Sequence, residues 1–192
     1  MASLQSQVEE KWQGRNIRYL QGDANEHLQE LCEKDWGKHR AVAFLDPFAL
    51  QVSWETLEKI SKTQAIDLWL LFPAMAVNRM LPRSGDIPPA WAARLNTLFG
   101  EDSWREAFYS QPSENLFGEE ISEKHPRTFD ILSNYVTQRL AQVFAGTHDN
   151  PLILRNRTGA PLFLLCFACG NAKGAKIATR IASHIINTSR HG

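Results

Sequence analysis

The stretch that most constrains the fold is an unbroken apolar run, Ala41 to Leu45, that ends abruptly in Asp46 and Pro47. A short apolar run bounded in this way is typical of a parallel strand buried on both faces. In an α/β sheet such a strand delivers the groups that follow it to the carboxyl edge, where ligands bind. Asp46 is therefore either a cap with a local hydrogen bond or a ligand-facing group, and the local sequence leaves both readings open.

Strand and helix patterns alternate around this run. Ile17 to Leu20 predicts a short strand, and Ala65 to Phe72 predicts a buried one that again closes on a proline. Between them, Asp23 and Ser53 can each cap a helix. Strands and helices alternating at this spacing predict an α/β fold with a parallel sheet and crossover helices.

The rest of the chain adds helices and a hairpin. Residues from about 74 to 146 predict a helical insertion that contains a polar surface loop at 111–126. Leu152 to Leu154 and Pro161 to Cys169, joined by a short polar turn, predict an antiparallel hairpin added to the sheet. The last helix carries an apolar stripe that we expect to be mostly core, namely Ile177, Ala178, Ile181, Ala182, Ile185 and Ile186. We therefore predict one domain over residues 1–192, with helices on both faces of a mostly parallel sheet and a short opening helix at Ser3 to Gly14.

Composition excludes several classes of protein. Lys plus Arg and Asp plus Glu both number 21, so binding a polyanion would need a local patch rather than bulk charge. The first residues carry no apolar targeting segment and no run is long enough to span a membrane, which predicts a cytoplasmic protein without a membrane partner. Three cysteines provide no disulfide framework, and we expect reduced thiols.

Two features suggest chemistry that their surroundings argue against. Cys166 and Cys169 are three apart on a predicted strand, so their side chains should point to opposite faces, and the six histidines lack ligand spacing. We therefore predict no metal site. The segment from Gly170 to Gly174, which contains Lys173, could hold an anion on free backbone N–H groups, but without a phosphate-loop pattern a plain strand-to-helix turn is favoured.

Polar and aromatic groups follow three successive predicted strands. The first set is Asp23 with Asn25, the second is Asp46 to Phe48, and the third is Phe72 and Pro73, followed by Asn78 and Arg79. Groups that converge at this edge are typical of ligand sites in doubly wound sheets. A carboxylate and a prolyl carbonyl can accept two hydrogen bonds from an amine while a neighbouring ring stacks on a planar base.

These residues also resemble motifs of a known protein family. Asp46-Pro47-Phe48 resembles the Asp-Pro-Pro-Tyr/Phe motif of amino-group methyltransferases, with the second proline missing. With the other blocks, the chain resembles the three-Cys-motif partner protein family from about residue 17 to its end. Those blocks are Gly22 to Asn25, Ala65 to Pro73, Asn78 to Arg83, Trp104 to Tyr109 and Phe167 to Ala175.

The resemblance implies a Rossmann-like fold with part of a class I methyltransferase sheet. It further implies S-adenosylmethionine as cofactor, with its adenine near Asp23, Ala24 and Asn25. Asp46, Pro47 and Phe48 would lie at the reacting group. The remaining edge residues, Phe72, Pro73, Asn78 and Arg79, would contact the substrate.

One departure from the family bears on function. Relatives begin with a segment containing an Asp-Gly-Phe-Ala-Gly-Pro-Gly-like turn for the methionine end of the cofactor, and this sequence has no such turn. The strands of that segment would lie between the Ile17 and Ala41 strands, so either these two pair directly or another chain fills the gap.

Two functions follow from the resemblance and this departure. The first is a module that acts with a partner, either a three-Cys-motif protein or a second copy, and is degenerate for catalysis. The second is an active S-adenosylmethionine-dependent methyltransferase on an amino group of a base or nucleic acid, which leaves nucleic acid open as a partner.

Overall fold

The computed structural model describes residue 12 and residues 14–48, 50–111, 113–114 and 120–190. This part of the chain contains seven helices, α1 to α7, and the first two begin at the predicted caps, Asp23 and Ser53. They are Ala24–Cys32, Trp54–Lys62, Ala74–Arg79, Pro89–Phe99, Trp104–Phe108, Thr128–Val143 and Ala175–Arg190. The predicted opening helix at Ser3 to Gly14 falls almost entirely outside the described residues.

Seven strands, β1 to β7, are present in the same described ranges. They are Ala41–Leu45, Ile66–Phe72, Ser113–Glu114, Glu120–Ile121, Gly146–Thr147, Leu152–Arg155 and Pro161–Cys169. Five of them form the main sheet in the order β1, β2, β7, β5, with β6 also paired to β7. The fold is therefore mixed α/β.

Strand direction refines the prediction of a mostly parallel sheet. β1 and β2 are parallel, whereas β7 runs antiparallel to β2, β5 and β6. Four of the five strands thus share one direction. Because the single reversed strand lies between them, only one neighbouring pair is parallel. The predicted hairpin is confirmed: β6 and β7 are antiparallel and join through a turn in which the Asn156 side chain accepts backbone N–H groups.

Two predictions about local structure are wrong. Ile17 to Leu20 forms no strand; Leu20 is exposed, and the segment does not pair with β1. A four-residue segment is too short to hold strand geometry without a ladder partner. The region predicted as a plain surface loop, 111–126, contains the β3–β4 pair.

One face of the sheet carries the main core. Side chains from β1, β2 and β7 pack there with α2 and with four helices of the predicted insertion, α3 to α6. Trp104, Phe108 and Phe99 are essentially fully buried in this cluster. Gly100 ends α4 in the left-handed conformation, with φ of 75°, as its place after the apolar stripe predicts. The insertion is therefore part of the same core as the sheet.

The opposite face is covered only in part. A small cluster around Phe167 and Cys169 packs against Ala182 of α7, with Trp69 beside it. Val42 and Phe44 of β1 project from the sheet on this side and remain 67% and 61% exposed. The prediction that β1 is buried on both faces is therefore wrong: its alternate residues are intermediate and exposed.

The stripe of α7 is also wider than the surface it covers. Ala182 and Ile186 are buried, but Ile177, Ile181 and Ile185 are 58%, 56% and 46% exposed. The expectation that the stripe is mostly core is thus wrong for its isoleucine flank. Helical geometry explains this, because residues at spacing four form one row, and this row lies beside the buried one.

Candidate functional site

The carboxyl edge of β1 and β2 holds the residues predicted for the reacting group. Asp46 is exposed and Phe48 is 82% exposed, so neither is packed in the core. Pro47 instead joins Phe72 and Pro73 in lining a closed apolar cavity of about 10 Å³. That volume is about one water molecule, so the cavity admits no base or amine. The structure therefore brings Pro47, Phe72 and Pro73 together as packing and leaves Asp46 and Phe48 facing outward.

Asp23 and Asn25 are held in a local hydrogen-bond network at the start of α1. The Asp23 carboxylate accepts the backbone N–H of Asn25 at 2.7 Å and caps the helix, as the alternative reading of Asp23 predicts. This hydrogen bond lowers the pKa of Asp23 below 3.8. Ala24, the first residue of the helix, is exposed.

The Asn25 side chain ties α1 to the loop before α2. Its amide nitrogen donates to the Gln51 carbonyl at 2.8 Å and to Asp23 Oδ1 at 3.1 Å. Its oxygen accepts from the Ser53 N–H at 3.0 Å and from the Thr56 hydroxyl at 2.9 Å. All four hydrogen-bonding positions of this carboxamide are thus occupied within the chain.

The two side chains that the resemblance assigns to the nucleoside are therefore both engaged inside the protein. An adenosine would have to compete with four partners for Asn25, whereas both hydrogen bonds to the Asp23 carboxylate go to Oδ1 and this residue is exposed. Asn25 is therefore not free to bind the nucleoside in this arrangement, and cofactor binding stays a prediction. No step of chemistry is derived through it.

Asn78 and Arg79 lie at the end of α3, and neither lines the small cavity that Pro47, Phe72 and Pro73 share. Lys124 Nζ donates to Asn78 Oδ1 at 2.7 Å, to the Asn78 carbonyl at 3.1 Å and to the Leu81 carbonyl at 2.8 Å. Burial, with Arg83 nearby, lowers the pKa of Lys124. Lys124 therefore satisfies the free carbonyls of a helix end. No sequence pattern links positions 78 and 124, so this contact could not be predicted. Arg79 is exposed.

A groove runs between β1 and α7 on the half-covered face of the sheet. It has a volume of about 400 Å³ and is lined by Val42, Asp67, Cys169 and Ala178, among others. Asp67 in its floor accepts the backbone N–H of Gly170 at 3.0 Å. The exposed side chains of β1 and α7 are the part of the site that the sequence missed. We call Val42, Phe44, Ile177, Ile181 and Ile185 the open face.

The two cysteines near the end of β7 lie on opposite sides of the sheet, as their spacing predicts. Cys166 is in the main core and Cys169 in the smaller cluster. Burial raises the pKa of Cys166 to about 12 and that of Cys169 to about 11. Among the described residues, no group of three or more His, Cys, Asp and Glu side chains is placed to hold a metal ion.

Comparison with known proteins identifies no relative of this chain. A scan against protein-family models, a search of curated proteins and a search of solved structures each found no match. In the described part of the chain, none of the helices combines the length and apolar character needed to cross a membrane.

Proposed function

We propose that this chain is a methyltransferase-related module of the three-Cys-motif partner type that acts by binding a partner protein. The observation that carries this proposal is the open face. Its five side chains belong to two elements whose sequence patterns predict burial, β1 and α7, yet each remains about half exposed or more. Apolar side chains whose sequence pattern predicts burial, but which are exposed in the single chain, are typical of a protein–protein interface.

The size of this surface supports an interface rather than ordinary surface exposure. Fully burying a valine, isoleucine or phenylalanine side chain contributes about 1.5 to 3 kcal/mol. Covering five half-exposed ones would therefore contribute about 5 kcal/mol, comparable to the stability of a whole small domain. Scattered single apolar residues are normal on surfaces, but these five belong to two elements that line one groove.

The edge of β1 supports the same proposal. Among the described residues its one ladder partner is β2. The Ala41 N–H donates to the Ala65 carbonyl, so in a parallel ladder the backbone groups of Val42 and Phe44 point to the open edge. The resemblance expects a gap at this edge. A partner that supplied a strand there would cover the open face as well.

The experiment is a measurement of mass by light scattering, for the chain alone and mixed with a candidate three-Cys-motif protein. We expect a complex or a dimer that is lost in the V42K/I181K variant. The matched control is A90K/A93K, which adds the same two charges at exposed positions of α4 on the opposite side of the sheet. A strictly monomeric chain, alone and in the mixture at high micromolar concentration, would contradict the proposal.

A second candidate is an S-adenosylmethionine-dependent methyltransferase acting on an amino group of a base. The exposure of Asp46 and Phe48 favours it, because a carboxylate and an unpacked ring at a strand end are free to meet a substrate. Titration calorimetry with S-adenosylmethionine tests it. Heat that is lost in Asp23→Ala would support this function, and no heat at high micromolar protein would exclude it for this chain.

The expected compartment is the cytoplasm. The free thiols of Cys32, Cys166 and Cys169 support it, since reduced cysteines are typical there.

A further inference from the structure

A second cleft lies at the opposite edge of the sheet from Asp46. Its lining comes from the segments before β1 and β2, from the ends of α1 and α2, and from the turn between β7 and α7. Its volume is about 660 Å³, within the usual range of pockets that hold nucleotide-sized ligands. None of the carboxyl-edge residues predicted from the sequence lines it.

Positive charge is concentrated in this cleft. Five cationic side chains line it: Lys34, Arg40, Lys59, Lys62 and Lys173. The acidic residues of the lining are Glu33 and Asp35, which leaves a formal excess of three positive charges in a chain whose net charge is zero. The local patch that a polyanion would require is therefore present.

Most of these cations have no acidic partner. Lys59 lies 3.4 Å from a Glu55 oxygen, but among the described residues no carboxylate oxygen lies within 4.0 Å of Lys34, Arg40, Lys62 or Lys173. Asp35 accepts the Gly37 N–H at 2.8 Å and so folds its own loop. Arg40 donates to the carbonyls of Trp36 and His39, which hold its guanidinium at the cleft.

Helix ends account for only part of this charge. Lys59 and Lys62 lie in the last turn of α2, where cations offset the helix dipole. Arg40 and Lys173 belong to no helix, and Lys173 comes from the turn that follows β7, more than a hundred positions along the chain. Neither the helix dipole nor an acidic side chain in the described residues therefore explains why Arg40 and Lys173 lie beside the helix-end lysines.

One aromatic side chain lines the same cleft. Trp36 is half-buried, and its indole N–H donates to the Leu31 carbonyl at 3.2 Å, which fixes the ring. A fixed indole beside several cations combines the two elements that bind nucleotides without reading their sequence, a stacking surface and charge for phosphates.

We infer that this cleft binds a phosphate-bearing nucleotide ligand, with Lys34, Arg40, Lys62 and Lys173 on the phosphates and Trp36 stacked on a base. The ligand is a strand of nucleic acid or a free nucleotide, which share this chemistry. The cleft adjoins the groove beside the open face, because Arg40 and Asn171 line both, but no residue of the open face lines the cleft. A nucleotide ligand is not part of the proposed function, so this inference goes beyond it and is tested with different variants.

The test is fluorescence anisotropy with a labelled oligothymidylate of about 12 nucleotides, at about 50 mM and about 200 mM salt. ADP and pyrophosphate are added as competitors, and the direct binding of each is measured by titration calorimetry. The test variant is K34E/K62E, and the control is R94E/R157E, which changes the charge equally at exposed positions outside the cleft. Lys173→Glu is a further single variant in an exposed turn. Near-ultraviolet circular dichroism establishes that each variant is folded.

We expect the oligonucleotide or the nucleotide to bind the native chain, with at least tenfold weaker binding in K34E/K62E and less than twofold change in the control. For a strand, the slope of log affinity against log salt should fall by about 0.7 for each lost phosphate contact. Trp36→Phe should weaken nucleotide more than pyrophosphate. Competition by ADP at matched phosphate concentration identifies a free nucleotide, and its failure identifies a strand. Absent binding of all three probes, or equal weakening in both double variants, would overturn the inference.

Discussion

The carboxamide oxygen of Asn25 accepts the backbone N–H of Ser53 at 3.0 Å and the hydroxyl of Thr56 at 2.9 Å, so one side chain joins α1 to the start of α2. The fully buried Thr56 hydroxyl has Ser53 Oγ at 2.9 Å as another acceptor, so the Ser53 N–H is the donor that depends on Asn25. We predict that Asn25→Ala lowers the free energy of unfolding by about 1 to 2 kcal/mol, because it leaves this N–H unsatisfied and removes the link between the two helices. Urea denaturation measures the loss, and Asn16→Ala, at an exposed position before the helix, is the control. A change below about 0.5 kcal/mol would show that Asn25 is free to serve a ligand.

Lys124 should matter for stability although the sequence gives it no role. It donates to two carbonyls and one side chain at the end of α3. Lys124→Met keeps much of the packing but removes three hydrogen bonds from a charged donor, and we predict a loss of about 2 kcal/mol. Thermal unfolding monitored by circular dichroism measures it. Lys176→Met, at an exposed position of α7, should be nearly neutral.

Both cysteines of β7 should react slowly with thiol reagents. The thiolate is the reactive form, and pKa values of about 12 for Cys166 and about 11 for Cys169 leave little of it at neutral pH. We expect at most Cys32 to be modified rapidly by Ellman's reagent in the native protein, and all three cysteines to react in urea. Rapid modification of Cys166 and Cys169 without denaturant would instead point to redox or metal chemistry at this strand.

Stability should decrease on mild acidification because of His148. Burial, together with nearby Arg190, lowers the pKa of His148 below 6.5, and its Nδ1 accepts the Asn150 N–H at 3.0 Å. The unfolded chain takes up a proton that the folded chain resists, so this contribution is complete above pH 6.5 and is lost as pH falls below it. The difference in urea midpoint between about pH 7.5 and about pH 5.5 should shrink in His148→Gln. An unchanged difference would contradict this assignment.

The sequence predicts the local elements well because their signals are local. The bounds of β1 and β7, the Asp23 and Ser53 caps and the Gly100 stop follow from residues within one turn or strand. The position of Asp46, Pro47 and Phe48 at the end of a strand is predicted in the same way. What the side chains there contact depends on residues far along the chain.

The sequence does not predict which residues far apart in the chain lie together in the fold. An apolar run or helical stripe cannot distinguish burial within the chain from burial against another chain, so the sequence predicts Val42 and Ile181 as core although they are exposed. The sequence does not predict the basic cleft either. Arg40 and Lys173 are brought together only by the pairing of β2 with β7 and of β1 with β2.

The central claim is that a partner covers β1 and the open face, and amide hydrogen exchange at β1 tests it most directly. In the isolated chain, the amides of Ala43 and Leu45 point to β2 and should be protected, whereas those of Val42 and Phe44 point to the open edge and should exchange rapidly. With the three-Cys-motif protein or in a dimer, we predict that Val42 and Phe44 become protected. Rapid exchange of both amides in a complex that light scattering shows to have formed would contradict the claim.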